Sequence, residues 1–452
     1  MIDGLLHSMI VCPDLDRPYP RLTHGEGVYL VDEHGQRYLD AAAGSCAVAL
    51  LGYGRTDVVD AMRDQALRAS VLPAHTFSSP VVEEYLRALC AFAPDGAYTR
   101  AWTAMSGTDA VENALKVALQ FHQIEGRGSR HKVLARWGSY HGSSVFTLDV
   151  GGMRLRRQRY APWLHAGTHL SAAYAYRRPL ELSEAEYTAQ LLEELERTVA
   201  REGADTIAAL VVEPLVGNAL GAVPPPVGYL EAVAELCRRE GILLVADEVM
   251  TGFGRTGVPF AVSHWGVQPD LIAAGKAMGG GYYPLSGVVL HERVAAAFER
   301  SRQPYLGGYT FACNPLGARV GLEVLRIMEE EDLVGRAARL GQVLRAKLGR
   351  LSDLEIVGDV RGAGLMVGVE LVANRTTRAP FPAELRLSRW LTQAALERGV
   401  ILYPGAGSAD GTRGDHLLLT PPLVIDEDEL ERAVAVLDEV LREATVRFDL
   451  HR

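Results

Sequence analysis

From about residue 55 to residue 300, short unbroken apolar runs alternate with stretches of helical periodicity. The runs at Lys132–Ala135, Ala208–Val212, Ile242–Ala246 and Leu271–Ala274 predict strands, since apolar runs this short suit strands covered on both faces. Val81–Phe92, Ala110–Gln123 and Val227–Glu240 predict helices, the last closed by Gly241. Strands separated by helices predict an α/β fold with a mostly parallel sheet covered by helices. In such sheets, ligands bind beyond the C-terminal ends of the strands. Glu213, Asp247 and Lys276 each follow one of the runs and so fall on that edge.

The texture differs on either side. Two alternating runs flank Asp32-Glu33-His34-Gly35, a hairpin signal between Gly25 and Asp40. Beyond about residue 330, helices are predicted at Val334–Leu351, Leu385–Arg398 and Glu427–Arg442, with a glycine turn and a strand across Arg361–Glu370. These features divide the chain into an N-terminal segment (1–55) joining a small domain, a large domain (56–330) and a smaller α+β domain (331–452).

With 452 residues, 48% hydrophobic and 23% charged, the chain suits a globular protein of two or three domains. Its net charge of -10, with both signs interspersed, repels polyanions, so no nucleic-acid partner is expected. Cys12, Cys46, Cys90, Cys237 and Cys313 are scattered without a C-x-x-C pair. That spacing excludes a disulfide framework and a structural zinc site, no metal is expected, and the setting reads as cytoplasmic. The N-terminus, with Asp3, His7, Asp14 and Asp16, shows no basic leader. The longest uncharged apolar stretch, residues 41–54, is too short to span a bilayer, so no membrane partner is expected.

Three constellations carry chemistry. Ser106-Gly107-Thr108 leads into a helix whose first-turn N–H groups and dipole favour a phosphate, although the same residues would serve as a plain N-cap. Asp247-Glu248 ends an apolar strand, where a carboxylate needs a partner such as a protonated heteroaromatic nitrogen; an ordinary glycine-rich turn is the alternative. Lys276 follows an apolar strand and precedes Gly279-Gly280-Gly281. A desolvated lysine is a nucleophile suited to a Schiff base, whereas a snorkelling surface lysine is not. An anion cradle, a carboxylate and a lysine together match the needs of pyridoxal 5'-phosphate.

The combination of D-E-V-x-T-G-F-G-R-T-G from Asp247, A-G-K ending at Lys276 and T-F-x-x-N-P from Thr310 resembles the class III (omega-type) aminotransferases among fold type I pyridoxal-phosphate enzymes. The resemblance runs from the hairpin near Gly27 to the C-terminal helices. It implies a seven-stranded, mostly parallel sheet in the large domain. It implies Lys276 as the Schiff-base lysine and proton shuttle, Asp247 at the pyridinium nitrogen, and Val249 and Tyr140 on the two ring faces. Ser106, Gly107 and Thr108 would bind the phosphate, with His141, Glu213 and Met250 also around the cofactor. Thr310 would reach the phosphate of a neighbouring subunit, which implies a homodimer. Taken alone, Tyr140 would read as core packing and Thr310 as a turn hydroxyl.

Departures from the family pattern are also visible. Met250 stands where many members have Gln, and Leu418 where members accepting glutamate or ornithine often carry Arg. Arg413 resembles the mobile arginine of amine:pyruvate-type members and, with Cys46, is a candidate substrate-binding residue; a solvated loop arginine and a buried small apolar residue are the alternatives. The implied activity moves an amino group from an amine or amino acid to a keto acid or aldehyde in two half-reactions. Because a fold does not fix its chemistry, an aminomutase, a racemase or epimerase, a decarboxylase and a non-catalytic scaffold stay open at this point.

Overall fold

The computed structural model describes residues 19–165 and 167–450. The N-terminal residues read above for a leader lie outside that range. Strands β1 (Leu22–Glu26), β2 (Tyr29–Asp32) and β3 (Arg37–Asp40) form an antiparallel meander. The Asp32 carboxylate accepts from the N–H groups of His34 and Gln36 (both 2.9 Å), which fixes the turn of the expected hairpin.

The central sheet contains β4 (Tyr98–Ala104), β5 (Lys132–Arg136), β6 (Thr168–Leu170), β7 (Ile207–Val212), β8 (Leu243–Asp247), β9 (Leu271–Ala274) and β10 (Ser286–His291). Its order is β4-β10-β9-β8-β7-β5-β6, and every strand runs the same way except β10. Only residues 275–285 separate β9 from β10, too few for the crossover that a parallel pair requires. Every residue of β7, β8 and β9 is buried. Ala209, Val211, Leu243, Val245, Leu271 and Ala273 face the helix Gly107–Ile124. Leu210, Val212 and Leu244 face the helices Glu184–Glu202 and Tyr229–Glu240 on the opposite side. The period-2 alternation of the pleat thus serves two apolar layers, which explains why these strands read as unbroken runs. Each fully buried Val, Leu or Ile contributes about 1.5–3 kcal/mol.

Beyond residue 330 come β11 (Val357–Ala363), β12 (Met366–Leu371), β13 (Val400–Ile401), β14 (Tyr403–Ala406) and β15 (Asp415–Leu419). The stretch expected to hold one strand after a glycine turn contributes to two, because Gly364 (φ 52°) closes a hairpin between β11 and β12. A four-stranded antiparallel sheet, β11-β12-β15-β14, packs against the helices Leu333–Gly349 and Leu387–Glu397. Strand β13 instead pairs in parallel with β3, Val400 opposite Leu39 and Ile401 opposite Asp40.

A polar network lies inside this part of the molecule. The Glu370 carboxylate, fully buried, accepts from Arg361 (2.6 Å), Arg177 (2.5 Å), the Tyr174 hydroxyl (2.5 Å) and Ser408 (3.2 Å). Ser408 ties the 407–414 loop to it. The buried His416 ring N–H donates to the carbonyl of Asn218 (3.1 Å), joining β15 to the loop after β7.

Candidate active site

Strand ends deliver the chemistry to one edge of the central sheet. Gly107 and Thr108 follow β4, Tyr140 and His141 follow β5, and Glu213 follows β7. Asp247 ends β8, and Lys276 follows β9. All seven line one cavity, together with Gly142, Asn218, Val249 and Met250. It encloses roughly 570 Å³ with adjoining solvent, within the ~300–1,000 Å³ of small-molecule sites.

Local geometry explains several residue choices. Ser106 closes a capping box: its hydroxyl accepts from Asp109 N–H (3.1 Å), and the Asp109 carboxylate accepts from Ser106 N–H (3.1 Å). The Ser106 side chain thus caps the helix end and does not itself line the cavity, while its hydroxyl proton is not used by the cap. Gly107 and Thr108, in the same first turn, do line it. A Cβ on Gly107 would stand 2.5 Å from a Val249 methyl, so glycine is what lets the helix end approach. Gly142, at φ 139°, holds Thr108 and Thr147 together; a Cβ there would meet their hydroxyls at 2.8 and 2.5 Å.

Asp247 is buried, as expected, and well held. Its carboxylate accepts from His141 Nδ1–H (2.8 Å) and Val249 N–H (3.1 Å). The other ring nitrogen of His141, also buried, has no partner among the described residues. Glu213 accepts from Tyr140 N–H and Gly217 N–H, both at 2.9 Å. Burial pushes its carboxyl above the usual carboxylate range, opposed by nearby His141. Lys276 is only half-buried, less than its sequence setting suggested, and sits in the left-handed region (φ 46°). A non-glycine residue held there is backbone strain of the kind found at functional sites.

Cys46 lies behind the cavity wall, its thiol 3.9 Å from the Met250 sulfur, in an apolar cluster with Leu215, Ala222, Met366 and Leu418. Burial pushes the thiol up, opposed by the charge of Lys276. The Asp40 carboxylate positions this segment by accepting from Ala42 N–H (3.0 Å), Gly44 N–H (2.6 Å) and the Tyr53 hydroxyl (2.5 Å). Leu418 lies in that same buried apolar cluster and is not among the residues lining the cavity. Arg413 is not brought to the cavity: it is 57% exposed and paired to Asp410 at 2.7 Å. Thr310 lies on an exposed stretch with Leu306, Tyr309 and Phe311, also outside this chain's cavity. Asn218 is a lining residue that sequence reasoning missed, since a lone Asn in a Gly-Asn-Ala loop carries no motif. Among the described residues no group of three His, Cys, Asp or Glu could hold a metal ion, and no helix is long and apolar enough to cross a membrane.

The donor set fits pyridoxal phosphate: a helix N-terminus with a hydroxyl for the phosphate, a buried carboxylate for the ring nitrogen and an amine for the aldehyde. Together with the sheet order, these residues define a pyridoxal-phosphate enzyme of fold type I. More narrowly, the chain belongs to the class III aminotransferase family, whose model (Aminotransferase class-III) matches residues 14–441. An uncharacterized aminotransferase of Schizosaccharomyces pombe is 38% identical over 426 residues, covering 93% of this chain and 92% of that protein. The thermostable (S)-enantioselective omega-transaminase of Thermomicrobium roseum superposes with a TM-score of 0.89 at 33% identity, covering 98% and 97% of the two chains. The omega transaminase of Pseudomonas jessenii, solved in complex with PMP, gives 0.92 at 29% identity over 100% and 99%. The protein is a pyridoxal-phosphate-dependent aminotransferase acting on small-molecule amines and keto acids.

Proposed function

We propose that the cavity at the sheet edge is where the amino group is transferred, with Lys276 as the covalent tether and proton carrier. The convergence of Lys276, Asp247, Thr108 and Tyr140 on one cavity, from four different strand ends, carries this reading. When bound, pyridoxal phosphate supplies the electron sink that makes the proton on the substrate's amine-bearing carbon labile. Asp247 would hold a proton on the ring nitrogen, and His141 and Val249 N–H keep its carboxylate oriented for that task. Gly107 and Thr108 would bind the phosphate at the helix end. Val249 and Tyr140 would flank the ring, with His141, Glu213 and Met250 completing the surround. Lys276 Nζ, freed when the donor amine enters, would take the proton from the donor carbon and return it two atoms away, on the cofactor side of the amino nitrogen. The acceptor keto acid or aldehyde then takes the amino group by the reverse sequence.

The reading extends to the assembly. Thr310 sits on an exposed stretch rich in large apolar side chains, which supports a homodimer in which it serves the neighbouring site. The net charge and scattered thiols support a cytoplasmic protein. The pairing of β3 with β13 supports grouping the N-terminal segment (1–55) with the small domain (331–452), apart from the large domain (56–330).

Lys276→Ala tests the core of the proposal. The wild-type holoenzyme is expected to show a visible cofactor band that an amino donor bleaches, and the variant to lose both band and turnover. Retention of the band in the variant would show that another lysine carries the cofactor.

A further inference from the structure

The helix Arg154–Tyr160 holds four arginines, and their surroundings differ. Arg154 stacks on Trp137 (4.2 Å). Arg157 pairs with Asp149 (3.3 Å) and donates to the carbonyls of Leu148 (2.8 Å) and Gly151 (2.9 Å). Arg156 lies over the Tyr140 ring at 5.0 Å and has no carboxylate partner among the described residues. It lines a surface depression with Ser143 and Arg159, and the Ser143 hydroxyl meets that of Tyr140 at 2.9 Å. Tyr403 lies near Arg156, Tyr140, Cys46 and Asn218. Arg156 thus stands against Tyr140, a residue of the cavity lining, on the side of Ser143.

Inside, the cavity wall carries the carboxylates Glu213 and Asp247, which disfavour a second anion next to them. A substrate carboxylate belongs at the mouth. Leu418 offers it nothing, and Arg413 is already held by Asp410. We propose that Arg156 is the residue that binds the substrate carboxylate, selecting amino and keto acids whose carboxylate lies away from the reacting carbon. The Tyr140 face limits the orientations of its planar fork, and a preoriented guanidinium suits the two oxygens of a carboxylate. This rests on the assignment of the cavity as the catalytic site.

The test compares wild-type, Arg156→Ala, Arg156→Lys and Arg413→Ala holoenzymes. Glutarate, an unreactive dicarboxylate, is titrated by calorimetry, and kcat/KM is measured for succinic semialdehyde, whose carboxylate is remote from the aldehyde, and for butanal as acceptors. Glutarate affinity and the succinic-semialdehyde-to-butanal ratio of kcat/KM are each expected to fall about 10- to 100-fold in Arg156→Ala, the loss of a hydrogen-bonded charge pair. Arg156→Lys should restore part of both, since it keeps the charge and loses the fork. The proposal is overturned if wild-type protein does not bind glutarate, if both acceptors suffer equally, or if Arg413→Ala produces the loss instead. A wrong cavity assignment has a separate signature, a visible band that survives Lys276→Ala.

Discussion

Replacing Gly107 with alanine probes a close approach in the site. The added Cβ would sit 2.5 Å from one Val249 methyl, 3.2 Å from the other and 3.4 Å from Val249 Cβ. The first distance is far inside contact, and overpacking of this kind costs about 1–3 kcal/mol. Alanine returns at most about 1 kcal/mol as a better helix former, and less at a first-turn position. The unfolding midpoint should therefore drop only slightly. Cofactor binding should suffer more, because Val249 borders the cavity and gives way towards it. A displacement worth about 1.4 kcal/mol weakens pyridoxal-phosphate affinity roughly tenfold. The assay is titration of apoprotein with pyridoxal phosphate, followed by visible absorbance, for Gly107→Ala, Val249→Ala and the double variant. Removing the Val249 methyls makes room for the new one, so the double variant should bind better than the sum of the single losses allows. A coupling energy of about 1–3 kcal/mol is expected. Strictly additive losses, or unchanged affinity in Gly107→Ala, would refute the steric account.

Two further predictions concern the polar framework behind the site. Glu370→Gln leaves the Arg361 and Arg177 guanidinium groups without their buried counter-charge and should cost about 3–5 kcal/mol in denaturant unfolding. Although burial raises the Glu370 carboxyl, the neighbouring arginines hold it below the ordinary 4.5 overall. Its contribution is thus present above pH 4.5 and lost as pH falls through the folded value, so wild-type and variant stabilities should converge at low pH; parallel curves would contradict this. Gly405→Ala places a Cβ 1.9 Å from Nε2 of the buried His416, displacing the bond to Asn218. Its midpoint should fall by several degrees, and an unchanged midpoint would show that β14 can shift to accommodate the methyl.

What the sequence disclosed follows from its physics. Buried strands such as β7 and β8 announce themselves because both faces are apolar, and the residues at their ends inherit a place on the functional edge. The direction of β10 is not written in Ser286–His291, whose apolar run reads alike either way; only the short connection from β9 settles it. Strand β4 escaped notice because Thr99 and Arg100 interrupt its pattern at the edge of the sheet. Ser106 shows the limit of motif reading, since capping and anion binding call for the same small hydroxyl residue and geometry alone separates them. Arg156 carries no motif at all: among four arginines on one short helix, only the aromatic face of Tyr140 distinguishes it.

The pairing of β3 with β13 has a consequence for how the molecule is made. Leu39 leaves the ribosome about 360 residues before its partner Val400. At ~5–20 residues per second, the open edge of the N-terminal meander waits roughly 20–70 seconds for its fourth strand. Until then it is a bare template for pairing with other nascent chains. Slowed elongation or a truncated C-terminus would prolong that exposure, so cellular yield should depend on protection of residues 22–40 by chaperones during synthesis.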